Sequence, residues 1–199
     1  GFHGNPETVA ILAQAWLEGT HEAGMAAVGK HFPGHGSVAP DSHVAIPESD
    51  AAWESLEEGM LPFRRLVDAG IDALMPAHII FNKIDKKPVG FSKKWLQHLL
   101  RKELMFNGAI LSDDMSMKGA SAAGNLNERC QLALDVGSDM VLACNDREGL
   151  LQLVENLRDT REQASVERLA KLRGRNQYNM LALKDNKRWQ RARKLIDEA

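Results

Sequence analysis

Met25-Ala26-Ala27-Val28-Gly29-Lys30-His31-Phe32-Pro33-Gly34-His35-Gly36 is the stretch on which the fold turns. Its first five residues are a short apolar run of the length expected for a buried strand. The run ends in polar, titratable residues, and Pro33 with Gly34 and Gly36 predicts irregular backbone there. Asp41-Ser42-His43 follows closely, so three histidines, a lysine and a carboxylate fall within residues 30–43. A packing role would call for apolar residues in this loop, and there are almost none. Chemistry gathered just past the C-terminal end of a buried strand is where α/β enzymes keep their active sites.

Working outward, Asn5-Pro6-Glu7 predicts a helix start, with Asn as cap and Pro at the first helical position. Val9, Leu12, Ala13, Trp16 and Leu17 then recur as one apolar face. A second helix is predicted over about 49–69, with Trp53, Leu56, Met60 and Phe63 facing inward. Residues 71–75 read as a second strand running into Pro76-Ala77-His78. A helix near 92–106 ends at Asn107-Gly108. Ala109-Ile110-Leu111 is a third strand with Ser112-Asp113-Asp114 at its C-terminal end. After a helix near 128–136, residues 140–143 form a fourth strand running into Cys144-Asn145-Asp146. The rest is helical and charge-rich.

A helix followed by four strand–helix units argues for an α/β fold with a parallel sheet. A complete (β/α)8 TIM barrel takes ~250 residues and rarely fewer than ~200. Four strands make half a barrel with two open edges, and an open doubly wound sheet is the competing architecture. Every predicted strand, however, ends in polar residues on the same side, as a barrel active site requires. The expectation is therefore the C-terminal part of a (β/α)8 TIM barrel. Residues 1–199 would be one partial catalytic domain whose N-terminal portion precedes Gly1.

A hydrophobic fraction of 44% and a charged fraction of 26% are those of a soluble globular chain. The net charge of -2 favours neither nucleic acid nor an anionic membrane as partner. No apolar run approaches the ~20 residues of a bilayer span, and Gly1-Phe2-His3-Gly4 opens no signal peptide. Cys130 and Cys144 lie outside any metal-ligand spacing and read as buried free thiols of a cytoplasmic protein. Arg188, Arg191, Arg193 and Lys194 read as a solvated helix face rather than a nucleic-acid site.

Several residues carry two readings. A carboxylate at a strand end can attack a sugar's anomeric carbon, and an Asp there can equally cap the next helix. Both roles fit Asp113 and Asp114, and with two adjacent one can cap while the other points inward. Asp41 beside His43 can orient the imidazole and raise its basicity, giving a general acid/base, or can simply make a local turn. His31 and His35 are four apart, but Pro33-Gly34 between them disfavours a helical metal site. Lys30 and His31 better suit hydrogen bonds to substrate hydroxyls. His78 is a candidate for the same pocket or a satisfied core histidine. Trp16, Trp53 and Trp95 fall on helical apolar faces, as core residues do.

Together, Lys30-His31-Phe32-Pro33-Gly34-His35-Gly36, Asp41-Ser42-His43, Met75-Pro76-Ala77-His78 and Ser112-Asp113-Asp114-Met115-Ser116-Met117 resemble bacterial β-N-acetylglucosaminidases of glycoside hydrolase family 3. The likeness is to the single-domain, cytoplasmic branch that recycles peptidoglycan. It runs through the whole chain and corresponds to the C-terminal three-fifths of such enzymes. The resemblance implies a retaining, two-step mechanism on a (β/α)8 barrel. The family nucleophile is the Asp of Gly-x-x-x-Ser-Asp, here Gly108-Ala109-Ile110-Leu111-Ser112-Asp113, which favours Asp113. It implies His43 as acid/base paired with Asp41, and Lys30 and His31 as contacts to the N-acetylglucosamine hydroxyls. Met115 and Lys118 stand where Leu and Glu are common. The family's upstream Asp and Arg, which grip the sugar, have no counterpart in this chain.

The implied activity is release of terminal N-acetylglucosamine from muropeptides carrying 1,6-anhydro-N-acetylmuramic acid, by a monomer needing no metal or organic cofactor. The isolated 199 residues are expected to be inactive. Two alternatives stand beside this: a phosphorylase, since a neutral histidine acid/base repels phosphate less than a carboxylate does, and a truncated, non-catalytic chain.

Overall fold

In the computed structural model, residues 2–36, 46–158, 162–175 and 180–198 are described. Asp41 and His43 lie outside the described residues. Six strands are described: β1 (Val28–Phe32), β2 (Glu48–Ser49), β3 (Ala73–Pro76), β4 (Ile80–Phe81), β5 (Ala109–Asp114) and β6 (Met140–Leu142). The main sheet has the order β1-β3-β5-β6, with every neighbouring pair parallel. Strands therefore add in chain order with no reversal. A doubly wound sheet reverses its order at a switch point; no reversal falls among these four strands, which is the order expected of a barrel sector. The two-residue pair β2–β4 was not foreseen; segments that short carry no periodicity to read.

Helix α1 (Pro6–Glu22) starts as predicted, with the Asn5 side chain accepting from the Thr8 amide at 3.0 Å. It packs on α2 (Trp53–Asp68). Leu56, Met60 and Phe63 of α2 meet Leu74, Ile110 and Phe32 from the strands, and Trp95, Leu96 and Leu100 from a π-type helix, Lys94–Glu103. A second cluster joins Cys130 and Ala133 of α3 (Leu126–Asp135) to Met115 and to Leu153 of α4 (Arg147–Asn156). At the N-terminal end of the sheet, a side chain on Gly108 would collide with the Asp72 carbonyl, so only glycine admits β5 beside β3.

Asp139, just before β6, is buried and accepts from the Ile110 amide (2.8 Å), Arg101 (2.8 Å), Arg168 (2.6 Å) and Ser165. This set ties α5 (Gln163–Ala170) to the bottom of the sheet. Burial pushes the Arg101 guanidinium below its usual range, against the pull of Asp139.

Three sequence expectations need correction. Trp16 is 69% exposed and Leu12 is exposed too, because α1 lays Ala10 and Leu17 on its neighbours and no described element covers the rest of its apolar arc. Cys144 is exposed while Cys130 is buried; β6 ends at Leu142, which leaves Cys144 on the rim. Ser112, Asp113 and Asp114 belong to β5 itself rather than to the loop after it. Trp95 is fully buried as expected, and Trp53 is partly buried. Among the described residues no helix is long and apolar enough to cross a membrane.

Candidate active site

His31, His78 and Asp113 meet at the C-terminal ends of β1, β3 and β5, the end on which barrel chemistry sits. The strands are out of step there. Lys30 pairs with Met75 and Phe32 with Pro76, so His31 is an extra residue in β1. Leu111 pairs with Met140 and Asp114 with Leu142, so β5 likewise carries an extra residue across Ser112 and Asp113. Bulges of this kind re-aim side chains. Ser112 repairs the ladder: its Oγ accepts from the Leu142 amide at 2.9 Å and donates to the Asp113 carbonyl at 2.8 Å. The Lys30–His31 and Phe32–Pro33 peptide bonds are both cis.

The Asp113 side chain is 14% exposed. Its Oδ1 accepts from the Asp114 amide at 2.8 Å, and its Oδ2 lies 3.5 Å from His31 Nε2. That gap is too long for a good hydrogen bond and short enough for strong electrostatic coupling. Burial pulls the His31 imidazole below its ordinary range; Asp113 opposes this, and Lys30, His35 and His78 reinforce it. The His35 ring stands edge-on to His31, with centroids 6.0 Å apart.

His78 is buried and stacks on Phe91, centroids 5.8 Å apart and planes 14° from parallel. Its Nε2 is 3.3 Å from the Asp114 carbonyl, which assigns the proton to that nitrogen. Its Nδ1 is then a buried acceptor with no hydrogen-bond partner among the described residues. Burial lowers the His78 pKa, against the pull of Asp113 and the Asp114 carbonyl.

Asp114 points away from Asp113 into a ring of donors. Burial would raise its pKa, but hydrogen bonds from Ser116 Oγ, the Cys144 and Ser116 amides and the Asn145 side chain outweigh it and hold the carboxyl below its usual range. The two aspartates thus separate, but neither caps the next helix: Asp114 binds the Ser116 turn and the chain after β6, and Asp113 faces the gap. Exposed Lys30 lies beside His31 on β1.

A cavity of about 920 Å³ runs along the free edge of β1 between α1 and α2, lined by Lys30, His31 and His35 at one end and by Phe63, Leu66 and Ile71 further in. It abuts the aspartate rather than containing it. Among the described residues no group of three or more His, Cys, Asp or Glu is placed to hold a metal. Sequence reading missed Phe91 and Ser116 as supports of the site; an aromatic far along the chain and a hydroxyl inside a turn carry no signal of that role.

Residues 1–172 match the family described as the glycosyl hydrolase family 3 N terminal domain. A beta-hexosaminidase of Idiomarina loihiensis is 46% identical over 197 residues, covering 98% of this chain and 59% of the relative. The chain thus spans about three-fifths of that relative's length. Among solved structures, NagZ from Neisseria gonorrhoeae in complex with N-trifluoroacetyl-D-glucosamine is 37% identical with a TM-score of 0.89, over 98% of this chain and 57% of the other. The same Neisseria protein in complex with zinc ion is 34% identical with a TM-score of 0.86, over 97% and 55%. The barrel sector, its parallel strand order and these matches agree, and the chain belongs to the glycosyl hydrolase family 3 N-terminal domain family.

Proposed function

We propose that the protein carrying this chain is a retaining exo-β-N-acetylglucosaminidase with Asp113 as nucleophile. The observation that carries the reading is the asymmetry of that carboxylate: Oδ1 is held by a neighbouring amide, and Oδ2 faces the gap toward His31. A nucleophile needs one oxygen fixed and the other aimed. Two-step retention then requires an acid for the leaving oxygen and a base for the incoming water. His43, oriented by Asp41, takes both parts in this proposal. Lys30, His31 and His78 hold sugar hydroxyls in this proposal. No step calls for a metal or organic cofactor.

The proposed substrate is the terminal N-acetylglucosamine of muropeptides ending in 1,6-anhydro-N-acetylmuramic acid. That assigns the enzyme to peptidoglycan recycling in the cytoplasm, and through cell-wall turnover to cell shape and division. It acts as a monomer on a small glycan, without nucleic acid or membrane. The name of the Idiomarina relative and the glucosamine derivative in the Neisseria complex support a hexosamine-releasing enzyme.

The test is product analysis with the complete protein on the anhydro-disaccharide. The expected product, followed by NMR, is N-acetylglucosamine released first as the β-anomer. Release of the α-anomer would reject the retaining mechanism. Sugar 1-phosphate as the main product in phosphate buffer would make the enzyme a phosphorylase.

A further inference from the structure

Asp114 joins three strand ends that the proposed chemistry needs in register. Its Oδ1 accepts from the Cys144 amide at 3.0 Å and the Ser116 amide at 2.9 Å. Its Oδ2 accepts from Ser116 Oγ at 2.6 Å and Asn145 Nδ2 at 3.3 Å. Its own amide donates to Asp113 Oδ1, and its carbonyl accepts from His78 Nε2. These four groups are all donors, and the Cys144 thiol adds another, a set that suits an acceptor-only carboxylate. β5 is out of step with β6 at this point, so the ladder alone does not set the direction of Asp113.

We propose that Asp114 is a positioning residue: by clamping the ends of β5 and β6 and anchoring His78, it aims the Asp113 carboxylate at the substrate. This rests on the reading of Asp113 as nucleophile. Asp114 also sets a fixed negative charge beside that nucleophile. Among the described residues, the titratable groups around the pair are His31, with Lys30 and His35 behind it, from the β1 side; His78 from β3; Cys144 after β6; and Arg129 from α3. Asn at 114 can keep most of the clamp, because the Ser116 hydroxyl can turn to donate or accept and the Asn145 amide can flip. It removes only the charge. Ala removes both.

The test measures kcat and KM on a nitrophenyl N-acetylglucosaminide, and labelling by a 5-fluoro glycosyl donor, in the complete protein and its variants. Asp114→Ala should lower kcat about 30-fold or more with KM changed by less than about threefold, and should still label at Asp113, more slowly. Asp114→Asn, which keeps most of the clamp, should keep kcat within about tenfold. A role in folding alone would lower the amount of folded protein and leave kcat per active site in place. Full kcat in Asp114→Ala, a loss confined to KM, or a kcat in Asp114→Asn as low as in Asp114→Ala each overturns the proposal. Should Asp114→Ala not fold, Ser116→Ala decides it: unreduced kcat there overturns the proposal. Label on Asp114 in the unmutated protein would instead defeat the nucleophile assignment beneath it.

Discussion

His31 Nε2 and Asp113 Oδ2 stand 3.5 Å apart, on two strands that are each one residue out of step with their neighbours at that point. The irregular backbone that takes these residues out of the ladders also brings them to face one another across β3.

Protonation of the leaving oxygen is assigned to His43, so its loss should depend on the leaving group. In His43→Ala, turnover of alkyl or sugar aglycones should fall by about 10²-fold or more, and nitrophenyl glycosides far less, because a nitrophenolate leaves without help. Asp41→Ala should show the same profile in milder form. Steady-state rates across a leaving-group series provide the check, and equal losses across the series would remove His43 from the acid role.

Activity should survive EDTA unchanged: His31 and Asp113 are two groups 3.5 Å apart, and among the described residues no set of three or more His, Cys, Asp or Glu is placed to hold a metal. Rates before and after chelation and dialysis provide the check. Activity that disappears with EDTA and returns with zinc would make the metal a participant.

Stability should fall on acidification in two stages. His31 and His78 are held below their ordinary range by burial, so below about pH 6.5 the unfolded chain binds more protons than the folded one and stability declines. Asp114, held below the usual carboxylate range, contributes stability that is present above about pH 3.9 and lost as pH falls through its folded value. Thermal melts from pH 7.5 to 5.5 should show Tm dropping, with a shallower slope in His78→Gln. An identical slope in that variant would exclude His78 as a source.

Residues 1–199 expressed alone should be inactive on a nitrophenyl N-acetylglucosaminide. The free edge of β1 and the apolar wall of the adjoining cavity, with Phe63, Leu66 and Ile71 along it, are the kind of surface that drives association. Size-exclusion and activity assays of this segment, with and without the N-terminal portion of a relative supplied, test this. A monodisperse, cooperatively melting, active segment would contradict it.

Much of this was legible in the residues. The Asn5-Pro6 start, the inward Leu56, Met60 and Phe63, and the apolar runs at 109–111 and 140–143 follow from caps and periodicity. Placing Asp113, His31 and His78 at one end of the sheet required only that strands be parallel and end in polar residues. The bulges were not legible, because an extra residue in a strand leaves no mark on hydrophobic pattern. Neither was the division of labour between Asp113 and Asp114: adjacent carboxylates look alike until the donors around one of them are known. Trp16 failed for a related reason, since an apolar helix face says that something could cover it and not what does.

The most direct test of the central claim is to trap the glycosyl-enzyme with a 5-fluoro N-acetylglucosaminyl donor and locate the label by peptide mass spectrometry. The label should fall on Asp113, and Asp113→Ala and Asp113→Asn should each lose about 10³-fold or more in kcat. A label on Asp114 or any other residue, or an Asp113→Ala protein that still turns over at a rate near that of the parent, would contradict the account.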